Sequence, residues 1–288
     1  MTQPGPLLRV RIEQMAPALG DVPANLARIA RAQADAAADG VHLVVTPELS
    51  VTGYDVRDAV HGLARAESDA PFGPLANGPD VVLGTIEHDA AFVPYNAMLH
   101  LRDGRVLHRH RKVYLPTYGM FEEGRWFGRG DAVRAYDAGG GWRVGMLVCE
   151  DLWHPALTWL LVTQGVHLLV VQSAAPGRGT VAGGASGGRF ASWDAWEHLA
   201  RAAADAYGIY VVLANRVGVE GSLRFAGGSM IVAPDGEVAA RADDWAEARL
   251  TADLSLDAVA AARRPYAHAR DDDPRLVARE LARILGER

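Results

Sequence analysis

Short, strongly apolar runs recur along the chain and alternate with stretches of helical period. Val41–Thr46 (VHLVVT), Val81–Ile86, Arg143–Val148 (RVGMLV), His167–Gln172 (HLLVVQ) and Ile209–Ala214 (IYVVLA) are near-continuous in Val, Leu and Ile. Runs of this length and β-branched content predict strands covered on both faces. Two further pairs of runs predict antiparallel hairpins. Asn96–Leu101 and Val106–Lys112 flank Arg102-Asp103-Gly104-Arg105, and Ser229–Ala233 and Glu237–Ala240 flank Pro234-Asp235-Gly236. Asp-Gly supplies the backbone freedom that a tight hairpin turn requires.

Helical patterns fill the gaps. Asp21 caps a predicted helix with Pro23 in its first turn and Gly40 closing it, and Leu26, Ile29, Ala30 and Ala34 form its apolar face. Pro155–Gln164 and Ser192–Tyr207 predict two more, the latter ended by Gly208. Pro274–Leu285, capped by Asp273, presents Leu276, Val277, Leu281, Ile284 and Leu285 on one side. Strands and helices alternating, with hairpins mixed in, predict a mixed-sheet α/β fold in one domain, residues 1–288. Ala174–Arg189 (AAPGRGTVAGGASGGR) is the longest Gly-rich stretch, and its mid-chain position suits a loop over a site rather than a linker. Its GGASGG resembles a phosphate cradle only loosely, because no Lys-Ser/Thr pair follows.

Composition narrows the function classes. A net charge of −6 over 288 residues argues against a general nucleic-acid binder, which needs a basic face. No apolar run approaches the roughly 18 residues of a membrane span, and the N-terminus lacks the layout of a cleaved leader; the expectation is a cytoplasmic protein without membrane contact. The one cysteine, Cys149, excludes an internal disulfide and a multi-thiolate zinc site.

Reactive side chains cluster at predicted strand ends, where α/β folds build their sites. VVTPELS sets Glu48 just past a strand, HRHRKVYLP sets Lys112 at the end of another, and MLVCEDLWHP sets Cys149 between a strand and a helix. A thiol of ordinary pKa, about 8.5, needs a base or a positive field to react at neutral pH. A helix N-terminus favours the thiolate, Glu48 can take its proton, and Lys112 can hold the oxyanion formed by attack on an amide. Two other arrangements use nearby histidines: a Cys–His pair with His154, His108 or His110, and a metal pair formed by His108 and His110, for which no third ligand is evident.

TPELSVTGY, HRKVYLPTYGMFEEGRWF and VCEDLWHP resemble the signature regions of the nitrilase superfamily, the carbon–nitrogen hydrolases. EQMAPALGDVPANLARI, YGIYVVLANRVGVEG and FAGGSMIVAPDGEV extend the resemblance over most of the chain. It implies a four-layer α-β-β-α sandwich and a Glu48–Lys112–Cys149 catalytic set forming a thioester without cofactor or metal. It also implies a fourth member in FEEGRWF, where Glu123 fits best and Glu122 is one residue away. The chain is most similar to amidases resembling the glutaminase domain of glutamine-dependent NAD synthetases. That similarity implies a pocket for a small amide lined by Tyr118, Phe121, Glu150, Ser173 and Arg178, with Glu150 suited to an α-ammonium and Arg178 to an α-carboxylate. With Arg288 as the last residue and no ATP-pyrophosphatase segment following, the expectation is a free-standing amidase or a subunit supplying ammonia to a separate synthetase. N-carbamoyl amine hydrolysis is the alternative within the class. Arg263–Tyr266 and Asp271–Pro274 read as polar and extended. The resemblance implies a homodimer or higher homo-oligomer, because family members commonly pair through helices and tail; the tail 263–288 is expected either to cross to a second subunit or to wrap its own domain.

Overall fold

The computed structural model describes residues 7–69, 72–181, 189–243, 245–266 and 268–287. The first sheet contains β1 (Leu8–Gln14), β2 (Leu43–Val45), β3 (Arg65–Ala66), β4 (Asp80–His88), β5 (Pro94–Arg102) and β6 (Arg105–Arg111). The second contains β7 (Tyr136–Asp137), β8 (Arg143–Val148), β9 (Leu168–Ser173), β12 (Tyr210–Asn215), β15 (Met230–Val232) and β16 (Val238–Arg241). Between these lie the short pairs β10 (Thr180–Val181) with β11 (Arg189–Phe190), and β13 (Val217–Glu220) with β14 (Leu223–Ala226). The last strand, β17 (Ala248–Leu254), returns to the first sheet antiparallel to β1. Spatial order is β17-β1-β2-β4-β5-β6 in the first sheet and β16-β15-β12-β9-β8-β7 in the second. Each sheet has a parallel centre, β1-β2-β4 and β8-β9-β12, flanked by antiparallel strands, and the two-residue β3 pairs parallel to the end of β4.

Alternation along the strands explains the layering. Val10, Ile12, Leu43, Val45, Val82 and Met98 turn inward to one core with Val144, Met146 and Val170 of the second sheet, and that core continues under α4 (Pro155–Val162) and α5 (Ala191–Tyr207). Val44, Val81, Leu83, Ala97 and Leu99 turn outward, where α1 (Val22–Ala38) covers them with Ile29 and Ala36; the four-residue helices α2 (Val60–Leu63) and α3 (Glu123–Trp126) lie in the connections after β2 and β6. The fold is thus the four-layer α-β-β-α sandwich.

Several expected features differ in detail. The buried face of α1 runs through Asn25, Ile29, Ala32, Gln33 and Ala36, while Ala34 is exposed. Two amides lie on that face because they bond backbone carbonyls: Asn25 Nδ2 donates to Ala18 and Val51, and Gln33 Nε2 to Leu75 and Pro79. The tail is not extended. α6 (Leu256–Arg263) is followed by a short α7 (His268–Asp271) and then α8 (Pro274–Leu285). All five apolar residues expected on α8 are exposed, Ile284 at 68%. Residues 182–188 of the Gly-rich stretch, which include the GGASGG segment, lie outside the described residues. Among the described residues no helix is long and apolar enough to cross a membrane.

Candidate active site

The carboxyl ends of β2, β8 and β9 converge with the end of β6. Glu48 stands three residues beyond β2, on a segment pressed against β4. A Cβ on Gly84 would lie 2.3 Å from the Leu49 amide nitrogen, so only glycine allows this approach. The segment is pinned further: Val51 N donates to Gly84 O, and Gln172 Nε2 of β9 donates to Thr46 O at 2.7 Å.

The Glu48 carboxylate is fully buried and accepts hydrogen bonds from three donors: Lys112 Nζ at 2.8 Å, Asn96 Nδ2 at 2.7 Å and the Ala174 amide at 2.7 Å. Lys112 is also fully buried, unlike Arg109 and Arg111 of the same basic run, which reach out to Glu67. Its ammonium also donates to Glu123 Oε1 at 2.7 Å. Burial alone would strip its proton, but the charges of Glu123 and Glu48 outweigh that and hold its pKa well above the usual lysine range. Glu123 is the acid that joins the cluster, and Glu122 is exposed. Burial pushes the Glu123 carboxyl up to about 7, against the pull of Lys112. Its Oε1 accepts a bond from Tyr54 OH at 2.5 Å, while its Oε2 is buried and without a partner among the described residues.

Cys149 opens a 3-10 turn, Cys149–Trp153, and has φ 46°. A non-glycine residue held in that region costs on the order of 1–3 kcal/mol and is seen where surrounding structure dictates it. The turn is too short and the site too buried for the expected helix-end effect to win. Burial first, and the charge of Glu48 second, raise the thiol pKa well above its ordinary range, against Lys112 and a hydrogen bond from Ser173. At neutral pH the resting group is a thiol, which needs a base at the moment of attack. Ser173, expected at the amino-acid head group, is fully buried, and its hydroxyl lies 3.5 Å from Cys149 Sγ.

The other residues expected to bind substrate gather at the rim. Tyr118 OH donates to Glu150 Oε2 at 2.8 Å. The Arg178 guanidinium lies over the Phe121 ring at 4.5 Å and the Tyr118 ring at 5.6 Å. Its Nη2 is buried and has no hydrogen-bond acceptor among the described residues. The histidines are engaged elsewhere: His154 stacks on Tyr114, His108 stacks on Tyr136, and His110 Nε2 meets Asp151. Among the described residues no group of three or more potential ligands could hold a metal ion.

Asn96 and Tyr54 escaped the sequence reading. Asn96 sits within an apolar strand, and a buried amide among Ala, Met and Leu was the available signal. Tyr54 is placed by a buried ion pair: Glu220, paired with Arg216, accepts bonds from the Tyr54 and Asp55 amides.

Comparisons with known proteins show the family and the fold. The family model of carbon-nitrogen hydrolases matches residues 9–264. Glutamine-dependent NAD(+) synthetase of Thermotoga maritima is 33% identical over 261 residues, which cover 87% of this chain and 42% of that protein. N-carbamoylputrescine amidase of Arabidopsis thaliana is 27% identical over 278 residues, 89% of each chain. Saccharomyces cerevisiae Nit3, a member of branch 10 of the nitrilase superfamily, has a similar fold, with TM-score 0.77 and 24% identity over 92% of this chain and 96% of its own. The chain spans less than half the length of the synthetase relatives it matches.

Proposed function

The chain belongs to the carbon–nitrogen hydrolase family and is an enzyme that hydrolyses amide-type carbon–nitrogen bonds; on that premise we propose that it cleaves the terminal carboxamide of a small amino acid, glutamine or a close analogue, through a thioester on Cys149. The observation that carries the substrate reading is the rim. A buried guanidinium nitrogen of Arg178, unpartnered among the described residues, offers a charge-assisted bond to an α-carboxylate, and Glu150 offers a carboxylate to an α-ammonium.

In the proposed reaction Glu48 takes the thiol proton as the Cys149 sulfur bonds to the amide carbon. The oxyanion is held by Lys112 and by the Glu150 amide, an early N–H of the turn that has no acceptor within it. The carbon–nitrogen bond breaks as Glu48 returns its proton to the leaving nitrogen, and ammonia departs. Water then gives a proton to Glu48 and its hydroxide adds to the thioester. The carbon–sulfur bond breaks, the thiolate recovers the proton, and the acid leaves. Glu123 Oε2, buried and unpartnered, is suited to accept from the substrate NH2 or the attacking water.

The test is kcat/KM for L-glutamine against propionamide and N-carbamoylputrescine, following ammonia and CO2. A preference for glutamine of at least tenfold is expected. Faster release of CO2 with ammonia from the carbamoyl substrate would replace this reading with the one that the Arabidopsis relative's name suggests. Glutamine hydrolysis appearing only when a synthetase is added would favour an ammonia-supplying subunit.

A further inference from the structure

We propose that Asp151 is a positioning residue that sets the Lys112 ammonium against the Cys149 sulfur. Its carboxylate is fully buried and accepts hydrogen bonds from four donors. Oδ1 takes the amides of Val113 at 3.0 Å and Tyr114 at 2.9 Å. Oδ2 takes the Val148 amide at 3.1 Å and His110 Nε2 at 2.8 Å. Three of these donors bracket Lys112 along the chain, and the fourth immediately precedes Cys149.

The two segments belong to different sheets, β6 of the first and β8 of the second. Nothing in the hydrogen-bond ladder of either sheet fixes one against the other at this point. Asp151 does so with one rigid group: Oδ1 holds the segment after Lys112, and Oδ2 joins His110 of β6 to the Val148 amide of β8. The Val148 bond also closes the turn on which Cys149 holds its left-handed φ of 46°. His110, only 3% exposed, fixes the carboxylate from the strand side. The reacting groups do not touch Asp151, so it acts through the two residues it spaces. A misplacement of about 1 Å between reacting groups costs on the order of 100-fold in rate.

This inference rests on Lys112 and Cys149 acting together on the amide. The test uses D151N, which keeps shape but turns one acceptor into a donor that must face an N–H on one side. H110A and H110Q accompany it, the glutamine retaining a donor toward Oδ2. Each variant is assayed with an amide that the native enzyme hydrolyses, with active sites counted by acyl-enzyme formation and folding followed by circular dichroism.

The expected result for D151N is a per-site kcat roughly 100-fold lower with KM within threefold. H110A should also lose kcat, and H110Q should recover most of it. A folded D151N with native per-site kcat would overturn the inference. So would H110A and H110Q losing only folded fraction, each with native kcat per site, and that pair decides the matter if D151N does not fold. Failure of the underlying chemistry reads differently: hydrolysis would then survive replacement of Cys149 itself.

Discussion

Glu48 and Lys112 have no solvent exposure and Glu123 has 4%, whereas Tyr118 is 51% exposed. In the first group Glu48 and Lys112 stand just beyond strand ends and are held by neighbours from β4, β5 and the end of β9, while Glu123 opens the short helix Glu123–Trp126 and is held by Lys112 and Tyr54. The second comes from the loop 114–122, the turn after β8 and the Gly-rich segment after β9. Both meet around Cys149, but they answer to different physics. Groups that exchange protons must keep sub-ångström spacing, so they are placed by sheets and saturated with partners. Groups that recognise a head group can wait half-solvated, with a free valence such as Arg178 Nη2 for the ligand to complete. If this division is right, the two regions separate in kinetics: damage to one changes kcat, and damage to the other changes KM.

The largest expected effect is that of Cys149→Ala. Ammonia release should fall below detection while substrate still binds, measured by calorimetry with a dissociation constant within about threefold of the native KM. Loss of binding along with turnover would merge the two regions. Gly84→Ala comes next. The added methyl cannot fit beside Leu49 without moving the Glu48 segment, so kcat should drop about 100-fold and stability by about 1–3 kcal/mol, with KM little changed. An unchanged kcat would mean that Glu48 tolerates displacement.

Arg178→Ala is the mirror experiment. Removing a charge-assisted bond worth about 1.5–3 kcal/mol should raise KM for an amino-acid amide about 10- to 100-fold, leave kcat within a few-fold, and spare an amide that lacks the head group. Equal effects on both substrates would make Arg178 a structural residue. The smallest effect concerns pH. Burial raises the Glu123 carboxyl to about 7, so below that pH it becomes neutral and weakens its hold on Lys112. Activity should therefore fall toward about tenfold per unit as pH drops below 7, and Glu123→Gln should lower the plateau and remove that limb. A native profile flat from pH 7 to 5 would contradict the role.

The same division explains what could be read from the chain. Arg143–Val148, the two hairpins and α8 follow local rules, because apolar period, Asp-Gly turns and caps act within a few residues. Glu48 and Cys149 were legible because a reactive residue just past an apolar run stands at a strand end whatever the sheet's order, and Lys112 because it closes the second arm of an Asp-Gly hairpin. Asn96 and Asp151 were not, since their partners are decided by register between strands far apart in sequence. Ser173 was assigned to the head group but lies against the sulfur. Its direction depends on where β9 ends, one residue later than its apolar run suggests. The field at Cys149 was misjudged for a related reason. A strand-to-helix junction suggests a stabilised thiolate, but the depth of burial and the neighbouring Glu48 charge are tertiary facts and reverse the sign.

The central claim is that the acyl group passes through Cys149 while the rim holds the head group. The most direct measurement is mass spectrometry of the intact protein and its peptides after rapid acid quench with glutamine and related amides. The account predicts an acyl increment confined to the peptide bearing Cys149, glutamyl for glutamine and absent in Cys149→Ala. Turnover with no increment there, or an increment on another residue, would contradict it.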